Sequence, residues 1–125
     1  MEHHLQNPVI LIYGLSGMQL LSLTALAKKA GVTCRGIDDG HTSYTIARLL
    51  SDQDLTPAPS APLGGKFALL HGFDGREQLA AALINQVSGG VIKAIHTPHN
   101  DGWSFASLCA ELRREHQTMT GKRNG

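Results

Sequence analysis

Val91-Ile92-Lys93-Ala94-Ile95-His96-Thr97-Pro98-His99-Asn100-Asp101-Gly102-Trp103-Ser104 is the stretch from which the fold is read. It opens as a short apolar strand, turns a corner at Pro98 and ends on a polar cap. The amphipathic run that follows extends to about His116. In that run Phe105, Leu108, Cys109 and Leu112 fall at i, i+3, i+4 and i+7, one buried helical stripe at a period of 3.6. The unit is therefore strand, corner, helix.

The same alternation recurs upstream. Val9–Tyr13 is a continuous apolar run ended by Gly14, which suits a strand covered on both faces. Ser16-Gly17-Met18-Gln19 fits a capping box, in which the hydroxyl and the amide each satisfy the other residue's backbone N–H. The helix it starts runs to about Ala30, with Gly31 closing it. Val32–Ile37 reads as a second strand, Asp38-Asp39-Gly40 as a turn, and Thr42 or Ser43 as the cap of a short helix carrying Tyr44, Ile46, Leu49 and Leu50. After a Pro- and Gly-rich linker over 51–65, Phe67–Leu70 is a third strand. Asp74-Gly75-Arg76-Glu77 looks like a second capping box, and Leu79, Leu83, Ile84 and Val87 stripe the helix after it.

Adding 58 to Gly14, Ser16, Gly17, Gln19, Leu21, Gly31, Ile37 and His41 gives Gly72, Asp74, Gly75, Glu77, Leu79, Gly89, Ile95 and His99. One inserted residue later, an offset of 59 carries Tyr44, Ile46, Ala47 and Leu49 onto Trp103, Phe105, Ala106 and Leu108. The expectation is an α/β fold of two βαβα repeats, about 9–50 and 66–119. Together they form about a four-stranded sheet covered by helices, within a single domain spanning 1–125. Whether the two halves meet parallel or antiparallel is left open. Met1–Asn7 and Thr118–Gly125 are expected to be loose polar ends.

Composition narrows the class. With 42% apolar and 17% charged residues the chain has the balance of a soluble globular protein, and its net charge of +1 provides no basic field for nucleic acid. Cys34 and Cys109 sit in apolar segments without metal-ligand spacing, which suits buried thiols in a reducing cytosol. Val9–Ala27 is apolar, but no Lys or Arg precedes it and Gly14, Ser16, Gly17 and Gln19 interrupt it, so it reads as fold rather than signal peptide. No stretch is apolar and long enough to span a membrane.

Lys93-Ala94-Ile95, Thr97-Pro98, Asn100, Trp103-Ser104 and Glu111-Leu112-Arg113-Arg114-Glu115-His116 resemble the DUF3783 family, a bacterial domain of unknown function. Ala68–Val87 looks like the first half of that domain, so the likeness covers roughly residues 66–119. The resemblance implies a fold and a bacterial, cytoplasmic setting, and it brings no known reaction. His96 and His99 stand where the family pattern has an aliphatic residue and a Thr or other polar residue. No histidine chemistry is therefore carried over from the family.

Several constellations are candidates for binding. Gly14, Ser16 and Gly17 join a strand to a helix N-terminus, where backbone N–H groups favour an anion, although no P-loop lysine follows. The simpler reading is a tight turn and a cap, and the same holds for Gly72 to Gly75. His71, His96 and His99 end or follow strands, with Asn100 beside them; Tyr13, Asp38 and His41 are their repeat counterparts. If the strands were all parallel, these groups would gather at the C-terminal sheet edge, where open α/β sheets bind ligands. A metal site is not expected; the alternative is one built from His71, His96 and His99. Ser16 and Ser104 suit capping and Cys109 a helix stripe, so no nucleophile is placed. Trp103 packs over its corner or anchors a protein partner.

The residues favour a non-catalytic module, without a cofactor, that binds a protein partner or small ligand and is compatible with a homodimer. Neither nucleic acid nor membrane is an expected partner. The alternative is a small metal-dependent or His-assisted enzyme acting at the C-terminal edge of the sheet.

Overall fold

In the computed structural model, residues 8–52 and 54–124 are described, with side chains as far as 117. The elements follow in the order β1 (Val9–Tyr13), α1 (Gly17–Lys29), β2 (Thr33–Gly36), α2 (Ile46–Ser51), β3 (Phe67–His71), α3 (Glu77–Val87), β4 (Ile92–Ile95) and α4 (Phe105–Asn124), with a 3-10 turn at Asp39–His41. This is a mixed α/β fold with a four-stranded sheet and four helices. The loose ends expected at Met1–Asn7 and Gly125 lie outside the described residues. The tail expected from Thr118 is helical as far as Asn124.

The strand order is β2-β1-β3-β4. β1 runs parallel to β2 and β3 parallel to β4, while the central pair β1 and β3 is antiparallel, with Leu11 opposite Leu69. Each βαβ segment thus forms a parallel pair, and the two pairs meet head to tail. The four strands belong to one compact unit, Met1–Asp38 with Gly64–His96; a second unit comprises Asp39–Leu63 with Thr97–Gly125. Each unit draws on both halves of the chain.

Strand alternation builds the core of the first unit. Ile10, Ile12, Ala68 and Leu70 point to one face, where Leu23 and Ala27 of α1 and Ala80, Leu83 and Ile84 of α3 pack with them. Leu11 and Leu69, of opposite parity, are also fully buried, which accounts for the unbroken apolar run of each central strand. Phe73, on the turn after β3, is 1% exposed and belongs to the same core. Leu79, expected in the α3 stripe, is exposed; Ala80 takes the inward position. Leu83, Ile84 and Val87 of the expected stripe do pack on the core, and with Ala80 they fall at i, i+3, i+4 and i+7, so Leu79 lies at the edge of the stripe.

The two strand-to-helix turns differ. At the first, Gln19 N–H donates to Ser16 Oγ at 3.1 Å and Ser16 N–H donates to Gln19 Oε1 at 3.1 Å, the expected capping box. At the second, α3 starts at Glu77, Arg76 occupies the cap position without a side-chain bond, and Asp74 has φ +52°. Asp74 is therefore not an N-cap, and the two turns are not equivalent. A Cβ in the left-handed region costs about 1–2 kcal/mol, eased for Asp by local hydrogen bonding. Asp74→Gly is accordingly expected to leave chemical denaturation unchanged or to stabilise by up to ~1 kcal/mol, and Asp74→Val to destabilise by about 1–2 kcal/mol. Asp74→Ser separates this from a helix cap, since serine would preserve stability at a cap but is expected to destabilise at a left-handed position.

In the second unit, α2 starts at Ile46 and is capped by Thr45, whose Oγ1 accepts Arg48 N–H at 3.2 Å. The expected caps are used otherwise: Thr42 Oγ1 donates to the Asp39 carbonyl, and Tyr44 and Ser43 precede the helix. Ser104 caps α4 by accepting Ser107 N–H at 3.0 Å. The two cap segments bridge antiparallel at Thr45 and Ser104. Ile46 N–H donates to Trp103 O and Phe105 N–H to Tyr44 O; Ala47 N–H donates to Asp101 O and Ala106 N–H to Thr42 O. The offset of 59 converts each bond of a pair into the other. Ile46, Leu49, Phe105, Leu108 and Cys109 are buried here, while Leu112 is only half-buried.

The segment read as a linker is tied down in this unit. Tyr44 OH donates to Thr56 O at 2.6 Å, Ala58 N–H to Gly40 O at 2.7 Å, and an Arg113 N–H to Leu63 O at 2.9 Å.

Candidate functional site

The antiparallel central pair decides which candidate residues can meet within the first unit. Val9 lies opposite His71 and Tyr13 opposite Phe67. The ends of β1 and β2, with Gly14, Ser16, Gly17 and Asp38, are therefore at the opposite end of the sheet from the ends of β3 and β4, with His71 and His96. The single C-terminal edge of an all-parallel sheet does not exist. Two separate strand-end clusters replace it.

At the first cluster the capping donors are met internally, since Ser16 N–H and Gln19 N–H bond each other's side chains. Gly14 has φ +99° and the turn brings it against the Gly65 backbone. Asp38 follows β2 and is exposed. Gly14 is thus crowded by backbone, whereas Gly17 has open space around it.

At the second cluster two imidazoles converge. The β3–β4 register pairs Leu70 with Ile95, and His96 N–H donates to the Leu70 carbonyl at 2.8 Å. Adjacent positions on adjacent strands then place both rings side by side. Their Nδ1 atoms are 2.9 Å apart, the ring centroids 5.0 Å apart, and the planes tilted by 51°. Two nitrogens at this distance make a hydrogen bond only when one carries a proton and the other does not. Both rings are half-buried.

In the second unit the remaining candidates have structural partners. The His41 ring nitrogen Nε2 lies 2.9 Å from the Leu55 carbonyl, and its ring stacks on Tyr44 at 6.2 Å. Asn100 is 7% exposed; its Oδ1 accepts Thr97 N–H at 3.0 Å and its N–H donates to Thr97 Oγ1 at 3.2 Å. That reciprocal pair fixes the corner around Pro98. His99 is exposed and meets the Trp103 ring edge-on, with centroids 5.2 Å apart. Trp103 itself is half-buried and lines a cleft of about 480 Å³ with Ser104, Ser107, Glu111 and Arg114.

Burial disfavours the thiolate form of both cysteines. Both cysteines are unpaired, and burial pushes the Cys109 thiol up to about 12, opposed in part by the Arg113 charge. Burial also raises the Cys34 thiol, against a hydrogen bond from Thr24. Among the described residues no group of three or more His, Cys, Asp or Glu side chains is placed to hold a metal ion. No helix among the described residues is long and apolar enough to cross a membrane.

A surface feature missed in sequence lies on α1. Met18 is 81% exposed and Leu21 is 73% exposed. They stand one turn apart, and Met18 lines a cleft of about 510 Å³ together with Ser16, Gln19, Ser22, Leu26 and residues of α3. The signal was available. Leu20, Leu23 and Ala27 satisfy the inward stripe of α1, which leaves Leu21 surplus.

Residues 66–119 match the family model of a domain of unknown function, DUF3783, over the stretch to which the Thr97–Ser104 corner pointed. No curated protein and no solved structure matches the chain. The match spans β3, α3, β4 and the first part of α4, a little under half of the chain.

Proposed function

We propose that the protein is a cytoplasmic, non-catalytic module that binds a partner protein through the outer face of α1. The observation that carries this reading is the exposure of Met18 and Leu21, two large apolar side chains one helix turn apart, with Met18 lining an open cleft. Burying each on association is worth about 1.5–3 kcal/mol, and the Ser and Gln side chains around them supply a polar rim. Met is the side chain best able to adapt to a partner's contours. Trp103 is a candidate anchor in the second unit, where its ring borders a cleft of its own.

The test is photo-crosslinking from a benzoylphenylalanine placed at position 18, in intact cells of the native host. The expected result is one dominant adduct with a different protein, reduced about tenfold or more by Leu21→Asp. Both substitutions are on exposed positions and are expected to stay within about 0.5 kcal/mol of wild-type stability. Adducts only with a second copy of the chain would replace the reading with self-association. Adducts unaffected by Leu21→Asp, or none, would refute it.

A further inference from the structure

We propose that His71 and His96 form a bidentate site for a divalent transition-metal ion that accepts ligands at right angles, Ni²⁺ or Cu²⁺ in preference to tetrahedral Zn²⁺. Imidazole nitrogen binds such ions at about 2.0–2.1 Å. Two nitrogens at that distance and at a right angle are separated by about 2.9 Å, whereas a tetrahedral pair is separated by about 3.4 Å. The observed separation of Nδ1 from Nδ1 is 2.9 Å. In the protein without the ion the same two atoms share a hydrogen bond, which the ion would replace.

The ligands stand on rigid elements. β3 and β4 are hydrogen-bonded neighbours, and the bond from His96 N–H to Leu70 O fixes the strands at the site itself. His71 ends β3 and His96 directly follows β4, so the sheet's last hydrogen bond holds their spacing before the ion arrives. Both rings are half-buried, so the ion keeps water in its other positions and is not stripped bare on entry. No third protein ligand among the described residues completes the set, which leaves coordination positions open to solvent or to a small donor molecule. Binding needs both Nδ1 atoms unprotonated, so the proton of the Nδ1 pair moves to Nε2 or to solvent when the ion enters.

The inference is tested on the full chain carrying His3→Ala and His4→Ala, which removes two histidines near the N-terminus. Calorimetric titration with Ni²⁺, Cu²⁺ and Zn²⁺, each alone in a non-chelating buffer, gives stoichiometry and affinity. The expected result is one equivalent of Ni²⁺ or Cu²⁺, with Zn²⁺ weaker than both, and a loss of about tenfold or more in His71→Ala and His96→Ala alike. Amide spectra of the protein with both rings intact provide a readout that does not depend on those variants folding. Substoichiometric Cu²⁺ should broaden residues 70–72 and 95–97 first. Broadening centred on His41, His99 or His116, binding that survives either single variant, a preference for Zn²⁺ over Ni²⁺, or no saturable binding would each overturn the assignment and leave the pair as a hydrogen bond only.

Discussion

Phe73→Ala is expected to lower the unfolding free energy by about 3–5 kcal/mol, the range for deleting a buried aromatic ring. The residue sits on a turn, between Gly72 and Asp74, where side chains are ordinarily solvated. Here both neighbours have positive φ, +80° and +52°, and the chain folds so that the ring joins Ile10, Ile12, Leu70, Ala80 and Ile84 in the core of the first unit. The ring is 1% exposed, so its removal forfeits the transfer free energy and leaves a cavity among β-strand side chains that cannot collapse without moving the sheet. Leu79→Ala is the control. That residue is 36% exposed on α3 and its truncation is expected to cost less than about 1 kcal/mol. Urea denaturation of both variants checks the contrast. Equal midpoints would mean that Phe73 does not pack where the structure places it.

How much of this was legible in sequence depended on whether local or distant contacts decide the matter. β1 has the bounds expected, Val9–Tyr13, because a β-rich apolar run flanked by Gly14 has few alternatives. The Ser16 capping box formed because its two hydrogen bonds join residues only three apart. Asp74-Gly75-Arg76-Glu77 meets the same template in residue types, yet the template specifies side chains and not backbone conformation. With Gly72 and Gly75 on either side, the chain takes a left-handed step at Asp74 that rules out capping. Thr42, Ser43 and Thr45 all carry a hydroxyl before α2, and the choice among them follows from the bridge to Ser104, more than fifty residues away.

The candidate site divides in the same way. The strand-end rule located His71 and His96, since parallel neighbours end together. It could not separate them from Gly14 and Asp38, because the direction in which β1 meets β3 is set by pairing between remote segments. His99 follows Pro98, and the Asn100–Thr97 bonds that shape the corner turn it toward Trp103. Surplus apolar residues on α1 were visible as letters, but a stripe template counts the residues that fit and ignores those left over.

Gly14→Ala is expected to destabilise the protein by roughly 2–5 kcal/mol, and it separates a structural role for this glycine from ligand binding. The cost has two parts. At φ +99° a Cβ is strained by about 1–2 kcal/mol. The added methyl would also lie 2.3 Å from the Gly65 carbonyl oxygen and 3.0 Å from Lys66 Cα, and the obstacle is backbone rather than a side chain that could swing away. Forcing such an overlap costs about 1–3 kcal/mol more. The crowding is a consequence of strand pairing: Tyr13 lies opposite Phe67, so the next residue of β1 runs into the chain entering β3. Gly17→Ala tests the alternative. That position has open space around it and begins α1, so alanine is expected to be neutral or to stabilise by about 0.4–1 kcal/mol. If the glycines served chiefly to admit an anion to the helix N-terminus, both substitutions would be tolerated in the unliganded protein. A Gly14→Ala variant with wild-type thermal stability would therefore contradict the packing of this turn. A large loss at Gly14 beside no loss at Gly17 would show that Gly14 is required by the meeting of the two central strands.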